Sequence, residues 1–343
     1  MDLIVVILKV LAVVLVLQGV VAYLIYVERK VCAFIQDRVG PNRVGWFGLL
    51  QPIADGGKLL LKEPFIPDGA NKAIFLLAPA ISVLTTTIGF AVIPFGPADP
   101  ANPNSPQWII APGIDVGILY IFAVSSLAVY AVILGGWSSN NKYSFLGGMR
   151  SSAQFVSYEI PLGLSILGVV LIARSLNLER IIAAQADGVW FVFYQPVACL
   201  LFFVAALAES NRLPFDLPEC EQELIGGYNT EYGGMRWAMF FFGEYTHMIT
   251  VSFLTALLFF GGWDLPWLVS ADDDSFAAAL IKLTVLAAKV FGLILLMMWL
   301  RWTLPRFRFD QLMNLAWKVM IPLALANLVL TAVVVQLLRS WSS

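Results

Sequence analysis

The strongest constraint on this chain is a series of apolar runs, each near the roughly 20 residues an α-helix needs to cross the hydrocarbon core of a bilayer. The first, LIVVILKVLAVVLVLQGVVAYLIYV, carries Lys9 as its only charge. Comparable runs are expected as spans at residues 3–27, 73–93, 116–134, 153–173, 189–208, 237–260, 276–300 and 319–338. Backbone groups inside lipid find no water to bond, so runs of this kind fold as helices. The expected fold class is an all-α polytopic membrane protein with eight transmembrane helices. Composition agrees, with 59% of residues hydrophobic, 13% charged and a mean hydropathy of +0.82. The opening run is too long and unbroken for a signal peptide and is read as the first span.

Charge placement sets the orientation. The loops after the first, third, fifth and seventh spans hold Arg29, Lys30, Arg38, Lys58, Arg150, Arg301 and most of the other cations, while the opposite loops hold Arg174 and Arg180. By the positive-inside rule the cation-rich loops are cytoplasmic and both termini are periplasmic. The chain then reads as a single integral membrane domain, residues 1–343, with two long cytoplasmic loops at 28–72 and 208–236. In the first loop Pro52 lies near a helix start, Leu49, Ile53, Leu60 and Leu61 follow helical spacing, and Glu63-Pro64 ends the segment. That pattern fits a short amphipathic helix in the membrane surface, either an ordinary interfacial helix or one framing an entrance for an amphipathic ligand. The proline-rich external loop at 95–113 reads as turns without chemistry.

Several chemistries have no support in the residues. A net charge of −2 with one histidine and no basic run argues against nucleic-acid binding. Cys32, Cys199 and Cys220 match no metal-ligand spacing, and there is no phosphate loop, no four-cysteine cluster set and no histidine pair for haem. His247 stands alone. A redox reaction served by this chain would need its electron carriers in another one.

What the chain does supply is acid in an apolar setting. Glu159, Glu209 and Glu244 lie in or beside expected spans, where a charge costs between about 3 and more than 10 kcal/mol unless it faces a protein interior or a water-filled cavity. The second loop, AESNRLPFDLPECEQELIGGYNTEYGG, adds Asp216, Glu219, Glu221, Glu223 and Glu231. Carboxylates at two-residue steps raise one another's pKa and can share protons, and the apolar neighbours Leu213, Phe215 and Leu217 suggest a loop folded back into the protein. Arg212 and Arg236 flank it as ion-pair or ligand-contact candidates. On these residues alone a proton- or ion-coupled solute transporter is as good a reading as a proton-conducting subunit of a redox complex, and a passive anchor would leave the acids without a role.

That loop, together with VERKVCAFIQDRVGPNRVGWFGLLQPIADGGKLLLKEP, KYSFLGGMRSSAQFVSYEI and RFRFDQLM, resembles the family of the H membrane subunit of bacterial proton-pumping NADH:quinone oxidoreductase (respiratory complex I), which is homologous to mitochondrial complex I subunit 1. The resemblance covers nearly the whole chain. It implies a multi-pass protein of the bacterial inner membrane, partnered by other membrane-arm and peripheral-arm subunits and by lipid. It also implies quinone, with ubiquinone expected, as substrate, while flavin and iron–sulfur clusters are held by other chains. By matching motifs, Arg29, Gln36, Arg38, Asp55, Arg212, Phe215 and Asp216 are implied to line or support the quinone chamber. Glu159, Glu209, Glu219, Glu221, Glu223, Glu231 and Glu244 are implied to form the proton pathway coupled to it; no catalytic residue and no metal ligand is implied. Some members carry an acid in the third helix where this chain reads VSSLAVY, so Ser125-Ser126 puts a simple chain of carboxylates in doubt.

Overall fold

The structure is a computed structural model that describes residues 3–96, 109–186, 188–217, 225–265 and 276–342. Every regular element among the described residues is helical. In chain order these are α1 (Leu3–Ile35), α2 (Gln51–Leu61), α3 (Lys72–Ile88), α4 (Gly117–Ser126), α5 (Ala128–Ser138), α6 (Lys142–Ala173) and α7 (Leu178–Ala186). There follow α8 (Phe191–Tyr194), α9 (Pro196–Glu209), α10 (Met235–Phe259), α11 (Phe276–Thr303), α12 (Phe309–Asn314) and, after a π-helical turn at Leu315–Met320, α13 (Ile321–Ser342). Six of the resulting helical stretches are long and apolar enough to cross a membrane: α1, α3 with its following turn, α4–α5, α6, α11 and α12–α13.

The differences from the expected spans have local causes. The α6 helix begins at Lys142 rather than near residue 153, because Asn141 caps it, its side-chain oxygen accepting from the Tyr143 N–H at 2.9 Å. The added turns carry Lys142 and Arg150, which hide them from a hydropathy window, yet Ser144, Gly147, Gly148 and Ser151 on them are buried. Gly147 permits a close approach: a Cβ there would stand 2.7 Å from the Gly227 Cα. Residues 189–208 form two helices because Pro196 starts α9, leaving the four-residue α8 before it. Pro52 lies in the first turn of α2, where its missing N–H costs nothing, and Ile53, Leu60 and Leu61 on that helix are exposed.

The α6 helix packs against α5, α9 and α13, and α10 packs against α1, α3 and α11. Half of the most apolar stretch of α6 is buried, against 11% of those of α1 and α12–α13, so α6 is central and the latter two are peripheral. The larger core joins Tyr158, Phe202, Leu257 and Phe259 with residues from α1 and α11, while a smaller one holds Phe75, Phe155, Tyr228 and Phe240. Phe75 stacks on Tyr232 with ring centroids 4.1 Å apart. These cores fix the ends of α1, α9, α10 and α11 beside one another, and the polar residues of interest collect there.

Candidate functional site

Where α1 leaves the apolar bundle, a cavity of about 510 Å³ opens between α1, α2, α10 and α11. Its walls combine two kinds of side chain. Trp237, Phe241 and Trp302 supply aromatic surface, and Glu28, Arg29 and Arg301 supply charge. The lip is built from the first loop. Arg29 bonds Asp55 at 2.5 Å, Gln51 donates to the other Asp55 oxygen at 3.0 Å, and Arg38 donates to Gln36 at 2.8 Å. The Tyr26 hydroxyl donates to the Phe47 carbonyl at 2.6 Å, and Lys30 to that of Val39 at 3.1 Å, so the loop is folded onto the end of α1.

Glu28 lines this cavity and is 4% exposed. It accepts from Arg212 Nη1 at 3.2 Å, from the Tyr245 hydroxyl at 2.6 Å, and from Arg301. The Arg212 guanidinium lies over the Tyr245 ring, 4.1 Å from its centroid. Burial works against the charge of Arg212, and Tyr245, Glu28 and Glu244 outweigh it, so the guanidinium is held above its usual range. One carboxylate therefore faces two guanidinium groups, and Glu244 adds a second negative charge to the field at Arg212.

The second loop turns inward behind this cluster. Gln154 of α6 donates to the carbonyls of Ala208 and Phe215, at 2.7 and 2.8 Å, closing the segment that carries Glu209 and Arg212. Phe215 is buried between Tyr158 and Phe307, with centroids 5.6 and 5.5 Å away. Asp216 pairs with Arg306 at 3.3 Å. Leu217 is buried with Phe215, whereas Ile225, at the far side of the loop, is exposed.

The acids divide as follows. Glu159 accepts from the Ser126 hydroxyl, which places that serine directly on the carboxylate. Glu209, 7% exposed, lies 3.6 Å from His247 Nε2. Glu244 accepts from the Tyr228 hydroxyl at 3.0 Å, and Glu231 from the Asn141 amide at 2.6 Å. Glu219, Glu221 and Glu223 lie outside the described residues.

A family model described as NADH dehydrogenase matches residues 8–332. The chain belongs to this family. It is 49% identical over 339 residues to the NADH-quinone oxidoreductase H subunit 1 of Geobacter sulfurreducens, covering 96% of this chain and 94% of that one. It is equally similar, 49% over 329 residues and 96% and 93% of the two chains, to the NADH-quinone oxidoreductase H subunit of Rhodospirillum rubrum. NADH-quinone oxidoreductase subunit 8 of Rhodothermus marinus is 48% identical over 324 residues and 92% of each chain. Against this family background, the structure brings Arg29, Arg38 and Asp55 to the cavity and leaves Gln36 holding Arg38 at its lip. Arg212 reaches the cavity wall through Glu28, while Phe215 and Asp216 anchor the loop away from it.

Sequence reasoning missed Glu28, Tyr245 and Arg301. A carboxylate ending an apolar helix just before Arg29-Lys30 was the available signal for Glu28. It also gave no partner to His247, the single histidine, which faces Glu209 across the α9–α10 contact.

Proposed function

We propose that this chain is the membrane subunit of NADH:quinone oxidoreductase that forms much of the quinone chamber and couples quinone reduction to proton translocation. The observation that carries the reading is the cavity itself, walled by both aromatic and charged side chains, with the buried carboxylate Glu28 in its wall. A quinone has an apolar tail and a polar head, so its route needs both kinds of surface. Reduction of the head creates a demand for protons and a transient negative charge. Arg212 and Arg301, both paired with Glu28, stabilise a negative head, and a change there alters the field at Glu244 and the acids beyond. Ser126, bonded to Glu159, takes the place of the third-helix acid that some relatives carry.

The same reading assigns eight transmembrane helices, by adding α8–α9 and α10 to the six long apolar stretches, with both termini periplasmic and α2 lying in the cytoplasmic interface. Residues 28–72 and 208–236 are then the two cytoplasmic loops of one membrane domain. Ubiquinone is the substrate, and the partners are the other membrane-arm and peripheral-arm subunits and the lipid of the bacterial inner membrane. The proton path runs through Glu159, Glu209, Glu231 and Glu244, with Glu219, Glu221 and Glu223 supplying its loop portion. Arg29, Gln36, Arg38, Asp55, Arg212, Phe215 and Asp216 line or support the chamber.

The complex purified through this chain in mild detergent is expected to carry NADH:quinone activity with flavin and iron–sulfur content. In that complex Glu209→Gln is expected to lower quinone reduction and proton pumping about tenfold or more, the scale of a lost proton-transfer group. NADH oxidation by a water-soluble acceptor, which bypasses this chain, should persist. A chain that purifies alone and moves a solute in proteoliposomes would instead return the transporter reading.

A further inference from the structure

We infer that His247 is a proton-relay residue that joins Glu209 to Glu244 and so closes a gap in the carboxylate chain. This rests on the proposed proton path and adds to it a group of different chemistry. Three observations carry it. His247 is 8% exposed, and its Nε2 has no hydrogen-bond partner among the described residues although it is buried. Buried polar atoms in folded proteins are nearly always paired, and an unpaired one marks a place where strain or function is kept. That same nitrogen is 3.6 Å from Glu209 Oε1, just beyond a normal hydrogen bond, so a shift of a few tenths of an ångström closes the contact.

The third observation is position. Residues three apart on a helix share a face, so His247 lies one turn along α10 from Glu244. Glu244 accepts from the Tyr228 hydroxyl and interacts with Arg212. Glu209 interacts with Glu159 of α6, which accepts from Ser126. His247 is thus beside the carboxylate of α9 and one turn from that of α10. A carboxylate can only accept, or donate the proton it holds; imidazole accepts at one nitrogen and donates from the other, which suits it to link two acids.

The transfer balances without any other reagent. The Glu209 O–H bond breaks, an N–H bond forms at His247 Nε2, and a neutral acid and neutral imidazole become a carboxylate and an imidazolium. The pair carries no net charge throughout, but the ion pair it forms is costly inside an apolar bundle, so it serves only as a short-lived intermediate. Release of the Nδ1 proton toward Glu244 then returns the imidazole to its neutral form in its other tautomer. Tautomer exchange or a ring flip resets it for the next proton.

The test is made on the assembled complex in proteoliposomes, reading protons pumped per NADH oxidised as well as the rate of quinone reduction. His247→Gln keeps a side chain that can hydrogen-bond but cannot take up a proton. It is expected to lower quinone reduction about tenfold and to lower the proton-to-NADH ratio, with NADH oxidation by a water-soluble acceptor retained. Combined with Glu209→Gln it should add little further loss, because the two act as one unit. A His247→Gln complex that pumps at the parental ratio, while Glu209→Gln does not, overturns the relay role and leaves the proposed path standing. If Glu209→Gln also pumps normally, the path itself is wrong. Should His247→Gln fail to assemble, His247→Asn offers a shorter amide with the same lack of basicity, and an unchanged ratio in that variant overturns the inference equally.

Discussion

Two buried polar networks sit at different places in this bundle, and they are built on opposite plans. Around Glu28 the partners are side chains from three separate segments: Arg212, Arg301 and Tyr245 converge on one carboxylate beside an open cavity. Around the α10–α11 connection the partners are backbone. Lys289 of α11 donates to the carbonyls of Phe260, Gly262 and Asp264 at 2.7, 2.9 and 2.7 Å, with its ammonium 4.4 Å from the centre of the Trp190 ring. Nearby, Gln185 donates to the Leu257 carbonyl at 2.9 Å and accepts from the N–H groups of Phe191 and Gly261. The second network neutralises the carbonyls at a helix end and has little reason to respond to anything. The first sets two guanidinium groups on one carboxylate next to a space large enough for a ligand head group. Satisfied backbone latches hold a fold, whereas a cluster of charges at a cavity can transmit a change in charge.

The sharpest way to break this comparison is Glu28→Gln. It leaves two guanidinium groups at a buried site without their carboxylate, a change that costs about 3–5 kcal/mol for a buried pair that loses one partner. The expected result is a large drop in assembled complex on native gels and loss of quinone reduction in what does assemble. Glu28→Asp, which keeps the charge, should recover assembly in part. A Glu28→Gln complex with normal amount and normal quinone turnover would show that the cluster is neither structural nor functional.

Lys289→Met removes the cation from the other network while keeping most of the apolar stem. Three charge-assisted hydrogen bonds are lost, partly offset because a lysine no longer has to be desolvated, so a net loss of about 2–3 kcal/mol is expected. It should appear as a lower melting temperature of the complex, with quinone turnover and pumping per assembled molecule unchanged. Loss of pumping at normal stability would erase the distinction between the two networks.

How much of this was legible in one dimension follows from the same contrast. Helices with long apolar stretches announce themselves through local composition, which is why α3 begins within a residue of its expected start. The added turns of α6 were not legible, because polar residues there are buried by packing against the turn at Gly227–Asn229, a partner far along the chain. The acids were visible as types, since a carboxylate in an apolar run is costly wherever it points. Their partners were not: nothing in spacing links Glu28 with Arg212, Tyr245 and Arg301, or Glu209 with His247. The Ser125-Ser126 pair marked a departure from relatives, yet only packing of the third apolar stretch on α6 sets Ser126 against Glu159.

The smallest expected effect marks the lower limit of what an ion pair does here. Asp115 and Arg180 approach to 3.6 Å, but both side chains are about 70% exposed. Water screens the pair, and holding two mobile side chains together costs entropy, so such contacts contribute between nothing and about 1 kcal/mol. Asp115→Asn is therefore expected to leave the melting temperature of the complex within about a degree of the parent and to leave quinone turnover unchanged. The same attraction that is decisive at Glu28 is nearly silent at Asp115, because the cost of leaving a charge unpaired rises with its burial. A shift of several degrees from Asp115→Asn would mean that this surface is covered in the assembled complex, and the pair would then have to be counted with the buried networks.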